Sequence, residues 1–491
     1  MRLRCWTPLS LHPFLLKGSA HGGRPQSLDT NAWVHMVEHV KGSRLRRMAK
    51  FATIAARTTK DVVQAKAIQK IRGDDDTVVA EALKPTAARM VEVLGEMKGV
   101  ATKLGQFITL ADQETFPEEA KKILNRLLHQ TPQRMDADTA RAVFVEGLGK
   151  QPEDVFSHWE PEPFASASMG QVHAATMPDG RDVVVKLQFP GVGDAIEHDI
   201  RNAGMMFKGM SLAGGLLDTR EYFEEVAQTL RRELDYREEI AQLQAYWEAL
   251  KPWPDLVVPD VIEALSTERV LVLDRLRGPT MLEFAEDPER SAEARLKVAN
   301  QVVAAIWGPF LRQGLIHADP HPGNYIVLPD GRLGVLDFGA TKQLSLNFTA
   351  AYWQVVTGSM RLEKVDYIKI FDRIGFTFPA DLDATRTWLD ELVLIVERPL
   401  RHDFYDWGAC MLTPDCRKHM TTSPVLAMQV RGPVESLMFY RAAVGAAGDL
   451  RMLRAAGNFR ELVRGIMVTA RETMDPALVA KIEEVGAEVS M

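Results

Sequence analysis

The chain has 491 residues, of which 46% are hydrophobic and 25% are charged, and its formal net charge is -7. This composition is typical of a folded globular protein and excludes disorder as the main state. The negative net charge excludes a polycation built to wrap nucleic acid, so we expect no nucleic-acid partner. The chain has only three cysteines, which exclude a disulfide scaffold. No apolar run reaches the ~18 residues that predict a transmembrane helix.

Residues 1–46 are interpreted as a leader that is either disordered or a targeting segment. Residues 1–28 carry four basic residues and no acidic one, a bias found in transit peptides. The stretch Lys41–Phe51 mixes basic and apolar residues. It fits contact with an anionic membrane surface or a solvated basic helix face, and both interpretations stay open.

The hydrophobic pattern then changes along the chain and divides it into three parts. Residues 47–150 are predicted to form a helical extension, residues 151–273 a lobe of strands with one long helix, and residues 274–491 a mostly helical lobe. The strands and the helix of the middle part are predicted over Phe164–Ala175, Asp182–Phe189, Tyr222–Leu250, Asp255–Ile262 and Arg269–Leu273. This order predicts an α+β fold with two lobes and a cleft between them.

The most informative string is His317-Ala-Asp319-Pro-His-Pro-Gly-Asn324, which precedes a short predicted hairpin. Asp337-Phe-Gly follows on the far side of that hairpin, eighteen residues after Asp319. An Asp with an Asn five residues later has the spacing of a kinase catalytic loop, in which the Asp orients the acceptor and the Asn holds Mg²⁺. Asp337 would be the second Mg²⁺ ligand. Either string alone is weak evidence, but the two together predict a site for MgATP.

Lys186 lies on a predicted strand, where a lysine can reach the α- and β-phosphates of ATP. Alone, it could equally be an edge-strand lysine that deters aggregation. The preceding strand begins with small residues at the place of a phosphate-binding loop. They are Ala165, Ser166, Ala167, Ser168 and Gly170, followed by Gln171. With one glycine, this loop has fewer positive-φ conformations available than a glycine-rich loop.

The helix between the strands carries the acidic string Glu233-Leu-Asp235-Tyr-Arg-Glu-Glu239. Glu239 is a candidate ion-pair partner for Lys186. A solvated charged helix face would explain the same pattern.

These strings together resemble the UbiB/AarF family of atypical kinases, which includes mitochondrial proteins of ubiquinone biosynthesis. A further string, Lys103-Leu-Gly-Gln106, supports the resemblance although its residues suggest no chemistry by themselves. The likeness runs from about residue 80 to 345 and continues more weakly to about 475. It implies a protein-kinase-like fold whose N-terminal helical extension packs over the cleft.

The resemblance also implies roles for particular residues. Lys103 and Gln106 would face the site and limit phosphorylation of proteins. Glu233 and Asp235 would lie in the cleft beside the N-terminal extension and help to bind the cofactor. Glu239 would pair with Lys186. ATP and Mg²⁺ are the implied cofactors.

The implied function is support of ubiquinone synthesis by an atypical kinase or ATPase. Quinone-lipid precursors or biosynthetic enzymes are the implied partners. We expect a cytoplasmic or mitochondrial-matrix location with peripheral membrane contact. After Gly339 there is no long activation segment and no Ala-Pro-Glu string, so we expect no protein substrate. The alternatives are a small-molecule phosphotransferase similar to aminoglycoside or choline kinases, and a nucleotide-binding pseudokinase scaffold.

Overall fold

A computed structural model of the protein describes residues 134–167, 169–212 and 220–486. Its first part contains five short strands: β1 (His158–Trp159), β2 (Ala165–Ala167), β3 (Gly170–Thr176), β4 (Asp182–Gln188) and β6 (Val270–Asp274). They form one antiparallel sheet in the order β1-β3-β4-β6, with β2 also pairing with β3. The turn between β3 and β4 contains Gly180 at φ +88°, and Gly180 donates to the carbonyl of Met177. Glycine adopts this backbone conformation without steric cost.

The two faces of this sheet have different roles. Helix α1 (Ala137–Leu148) packs on one face, where Val183, Val185 and Leu187 of β4 are fully buried with Phe144. Because side chains alternate along a strand, Lys186 faces the opposite side of the sheet. The apolar residues of β4 therefore direct its lysine toward the second part of the protein.

A short helix α2 (Pro152–Val155) precedes the sheet, and three longer helices lie between β4 and β6: α3 (Val192–Leu212), α4 (Arg220–Arg232) and α5 (Tyr236–Leu250). The prediction of one continuous helix over Tyr222–Leu250 is wrong, because the helix is interrupted between α4 and α5. Asp235 has an extended backbone, and its carboxylate accepts a hydrogen bond from the amide of Arg237 at 2.9 Å. This carboxylate is the N-cap of a new helix.

The predicted strand Asp255–Ile262 is also mostly wrong. Only β5 (Leu256–Val257) forms there, and it pairs in parallel with a strand of the second part. Pro259 follows two residues after β5. Because proline has no backbone N–H, it cannot continue the hydrogen-bonded pairing of this strand.

The second part is mostly helical. Its helices are α6 (Met281–Glu286), α7 (Ala292–Gln313), α8 (Leu346–Arg361), α9 (Tyr367–Arg373), α10 (Leu382–Val396), α11 (Arg398–Arg401), α12 (Leu412–Thr422), α13 (Pro424–Gln429), α14 (Ser436–Met452), α15 (Phe459–Glu472) and α16 (Pro476–Glu484). Helix α7 is the centre of this lobe and is buried along most of its C-terminal half. Ser291 caps its N-terminus, and Gly314 ends it at φ +76°.

The second part of the protein also contains short strands. They are β7 (Leu315–His317), β8 (Tyr325–Val327), β9 (Leu333–Val335), β10 (Thr341–Gln343), β11 (Tyr405–Asp406) and β12 (Ala456–Gly457). Strand β7 pairs with β10, β8 pairs with β9 across the predicted hairpin, and β11 pairs with β12. The α+β fold with a sheet lobe and a helical lobe confirms the predicted fold class. None of the described helices is long and apolar enough to cross a membrane.

Candidate active site

Lys186 on β4 contacts acidic side chains from two other parts of the cleft, helix α5 and the Asp337 string. Its Nζ lies 2.8 and 2.9 Å from the two carboxylate oxygens of Glu239 on α5. The same nitrogen lies 3.9 Å from Oδ2 of Asp337. Burial disfavours the charged form of Lys186, but the charges of Asp337 and Glu239 outweigh it and raise the pKa of the lysine. Lys186 therefore stays protonated, and the predicted pair with Glu239 is present.

The strings around Asp319 and Asp337 lie side by side. His317 is buried and donates from Nε2 to the carbonyl of Asp337 at 2.8 Å. Burial lowers the pKa of His317, so the ring is neutral when it makes this bond. Asn324 donates from its side chain to the carbonyl of Asp319 at 3.0 Å, and its own carbonyl accepts from the amide of Leu336 at 2.8 Å. Asn324 thus joins the two strings on one edge of the cleft.

The Asp337-Phe-Gly string is held in one conformation by its neighbours. Asp337 has φ +55°, a left-handed conformation that Asp tolerates better than most residues. Phe338 is buried, with its ring 5.5 Å from that of Tyr246 and 5.8 Å from that of His317. The amide of Gly339 donates to Oδ1 of Asp337 at 3.3 Å. The orientation of the Asp337 carboxylate is therefore fixed by the hydrogen bond from Gly339 and by the packing of Phe338.

The residues present fit a Mg²⁺ site completed by phosphate. Asp337 offers a partly exposed carboxylate, and the amide nitrogen of Asn324 is engaged by Asp319, which leaves its oxygen as the ligand atom. Within the described ranges no group of three or more His, Cys, Asp or Glu residues could hold a metal ion. Two protein oxygens supplemented by phosphate and water are a usual arrangement for Mg²⁺ in phosphoryl-transfer sites.

The small-residue loop returns into the sheet at Gly170, where a side chain cannot be accommodated. A Cβ on Gly170 would lie 2.1 Å from the carbonyl oxygen of Leu187. Ala165 and Ala167 are half-buried, Ser166 is exposed, and Ser168 lies outside the described residues.

The structure differs from the prediction for the Gln171 side chain. Gln171 is opposite Leu187 in the register, so it shares the face covered by α1 rather than the face of Lys186. Its Oε1 accepts from the amide of Met135 at 2.9 Å. Because the side chain is committed to Met135, it does not reach the cleft.

The two remaining acidic residues of the α4–α5 junction have separate environments. Glu233 is buried, and its Cγ would lie 3.3 Å from a Cβ on Gly339, so it lies against the Asp337 string. Asp235 caps α5 and is half-buried. Lys103 and Gln106 lie outside the described residues, and their place at the site stays a prediction.

The sequence reasoning missed the contribution of α14. Arg441 on this helix is 3% exposed and forms an ion pair with Oδ1 of Asp319. Four residues later, a Cβ on Gly445 would lie 2.4 Å from Cγ of Pro320, so the helix backbone lies directly against the Asp319 loop. Asp449, a further turn along, is also 3% exposed. The opposite charges of Arg441 and Asp449, eight residues apart in a mostly apolar helix, were the signal in the sequence.

Asp449 makes the stability of the protein depend on pH. Burial, and secondly the charge of Asp319, raise the pKa of Asp449 from 3.8 to about 8. The folded protein keeps a proton there that the unfolded chain has released, so this group lowers stability progressively as pH rises from about 4 to about 8. Asn resembles the neutral acid. We expect Asp449→Asn to raise the melting temperature at pH 8 and to change it much less at pH 5, as measured by thermal unfolding.

Asp403→Asn at an exposed position is the control. Its effect on the melting temperature should not increase between pH 5 and pH 8. A melting temperature of Asp449→Asn that follows the wild type in parallel across the pH range would contradict the expectation.

Comparisons with known proteins identify the domain. The ABC1 atypical kinase-like domain matches residues 127–370. Atypical kinase COQ8, mitochondrial, of Saccharomyces cerevisiae is 26% identical over 74% of this chain and 72% of its own length. Atypical kinase coq-8, mitochondrial, of Caenorhabditis elegans is 28% identical over 69% of this chain, but the match spans only 46% of the nematode protein.

A solved structure has the same fold. Rv3197 of Mycobacterium tuberculosis, determined in complex with erythromycin, is 26% identical and superimposes with a TM-score of 0.57. The superposition covers 80% of this chain and 98% of that one. Together with the paired Lys186 and the adjoining Asp319 and Asp337 strings, these matches show that residues 127–370 form an ABC1 atypical kinase-like domain similar to those of the COQ8 proteins.

Proposed function

We propose that the protein binds MgATP in the cleft between its lobes and acts as an atypical kinase or ATPase that supports synthesis of an isoprenoid quinone lipid such as ubiquinone. The observation that carries the proposal is the contact of Lys186 with both Glu239 and Asp337. It joins the sheet, α5 and the Asp337 string around one protonated cation. Phosphoryl transfer requires such positioning and charge stabilisation more than covalent participation.

Each residue has a distinct part in this proposal. Lys186, held by Glu239, binds the α- and β-phosphates, and Asp319, held by Arg441, orients the acceptor hydroxyl or water. Asp337 and Asn324 would hold Mg²⁺, which supplies neutralisation of phosphate charge when bound. The backbone of β2 and of Gly170 would cover the phosphates. Glu233 borders the site, whereas Asp235 shapes it by starting α5.

The acceptor is proposed to be a small molecule, a lipid group or water rather than a protein. Only residues 340–345 separate Gly339 from the first residue of α8, and three of them form β10. This leaves no room for the platform on which kinases bind an extended peptide. Lys103 and Gln106 would restrict access further if the N-terminal extension covers the cleft as the family resemblance implies.

The proposed setting follows from the relatives. The yeast and nematode proteins are both named as mitochondrial. We propose a matrix or cytoplasmic location with peripheral contact to a membrane, where quinone precursors or their biosynthetic enzymes would be the partners.

The test compares quinone content in cells that lack the protein and in cells that express wild type or Asp337→Asn at equal levels. We expect wild type to restore quinone and the variant to fail, because the variant loses a metal ligand. If both restore quinone, the protein acts as a scaffold and the enzymatic proposal is wrong. If quinone does not fall in its absence, the lipid assignment is wrong.

A further inference from the structure

Tyr236 lies beside Lys186 and stands within the acidic string Glu233–Glu239, although no role was predicted for it. It is the first residue of α5 and is 2% exposed. Residues three apart on a helix share a face, so Tyr236 lies on the same side of α5 as Glu239. Nζ of Lys186 is 5.2 Å from the centre of the Tyr236 ring. The ring and the Glu239 carboxylate therefore contact the same cation.

The phenol oxygen points toward the loop that is proposed to cover the phosphates. A Cβ on Gly170 would lie 3.0 Å from this oxygen. The hydroxyl therefore lies close to the backbone of Gly170, at the point where the loop joins β3.

The Tyr236 hydroxyl has no hydrogen-bond partner among the described residues, although it is buried. Burial raises the pKa of Tyr236, with the negative charges of Glu239, Asp337 and Glu233 adding to it and Lys186 opposing it. The group therefore keeps its proton and remains a donor. A buried donor without a partner destabilises a fold, and one such group beside a phosphate loop indicates a ligand contact.

We infer that Tyr236 is a nucleotide-binding residue whose hydroxyl donates a hydrogen bond to a phosphate oxygen of ADP or ATP, next to Lys186. The inference rests on the proposed function, because it requires a nucleotide in this cleft. A phenol hydroxyl can donate a hydrogen bond to a phosphate oxygen without changing the charge of the cleft.

The test is Tyr236→Phe in the full chain, with binding of MgADP and of adenosine measured by calorimetry. Hydrogen bonds to charged groups are strong enough that we expect the dissociation constant of MgADP to rise about tenfold or more. Adenosine, which has no phosphate, should bind wild type and variant equally. The melting temperature without nucleotide should stay the same or rise, because the variant removes only an unpartnered hydroxyl.

Tyr246→Phe is the matched control, since Tyr246 is a fully buried tyrosine on the same helix whose hydroxyl donates to the carbonyl of Ala305. That variant should lower the melting temperature and leave the affinity for MgADP unchanged.

Unchanged MgADP affinity in Tyr236→Phe would overturn the inference alone. If Tyr236→Phe binds MgADP and adenosine more weakly by the same factor and melts at a lower temperature, Tyr236 has a structural role. That result would also overturn the inference. A wild-type protein that binds neither nucleotide would instead refute the proposed function, and the inference with it.

Discussion

Replacement of Asp337 by Asn is expected to reduce ATP turnover on the order of 10²–10³-fold while leaving the fold intact, a loss typical of removing one transition-state contact. The variant loses the carboxylate charge at the proposed metal site and keeps the shape of the side chain. Asn tolerates the positive φ of this position as Asp does, so the backbone need not move. Phe338, which anchors the string in the core, is unchanged.

The measurement is the steady-state rate of ATP hydrolysis together with a thermal unfolding curve. Asp330→Asn is the matched control because Asp330 lies in the turn of the neighbouring hairpin and pairs with Arg332 at the surface. That variant should retain full turnover. An unfolded Asp337→Asn protein, or one that hydrolyses ATP at the wild-type rate, would refute the assignment of Asp337.

Replacement of Arg441 by Met is expected to be the most destabilising single change at the site. It leaves Asp319 largely buried without the guanidinium that balances its charge, and breaking a buried ion pair in this way costs about 3–5 kcal/mol. Turnover should also fall, since Asp319 loses the contact that orients it.

The double variant Arg441→Met with Asp319→Asn separates these effects. Removing the charge of Asp319 should recover much of the lost stability in a denaturant titration, without recovering turnover. Arg451→Met, at an exposed position of the same helix, should change neither quantity appreciably. If the double variant is as unstable as Arg441→Met, Arg441 does not stabilise the protein through its ion pair with Asp319.

The sequence predicted those features that depend on residues close together in the chain. The valine-rich stretch Asp182–Phe189 indicated the strand that presents Lys186. The interval between Asp319 and Asp337 predicted that the two strings lie together, because a loop, a short hairpin and a second loop bring them to one edge of the cleft. The family resemblance and the α+β fold class were confirmed.

The tertiary structure decided the features that depend on distant segments. Gln171 faces α1 because the register of β3 with β4 places it opposite Leu187, and a one-residue change of register would have turned it to the cleft. The helix is interrupted at Asp235 because this side chain caps the N-terminus of α5, although the hydrophobic pattern of the sequence continues through this point. Arg441 meets Asp319 across 122 residues of chain because the backbone of α14 at Gly445 lies against Pro320. No local pattern encodes such a contact, since it arises only when the helical lobe packs. The residues of the proposed site could therefore be named from the sequence, whereas the contact of Arg441 with Asp319 became visible only in the folded protein.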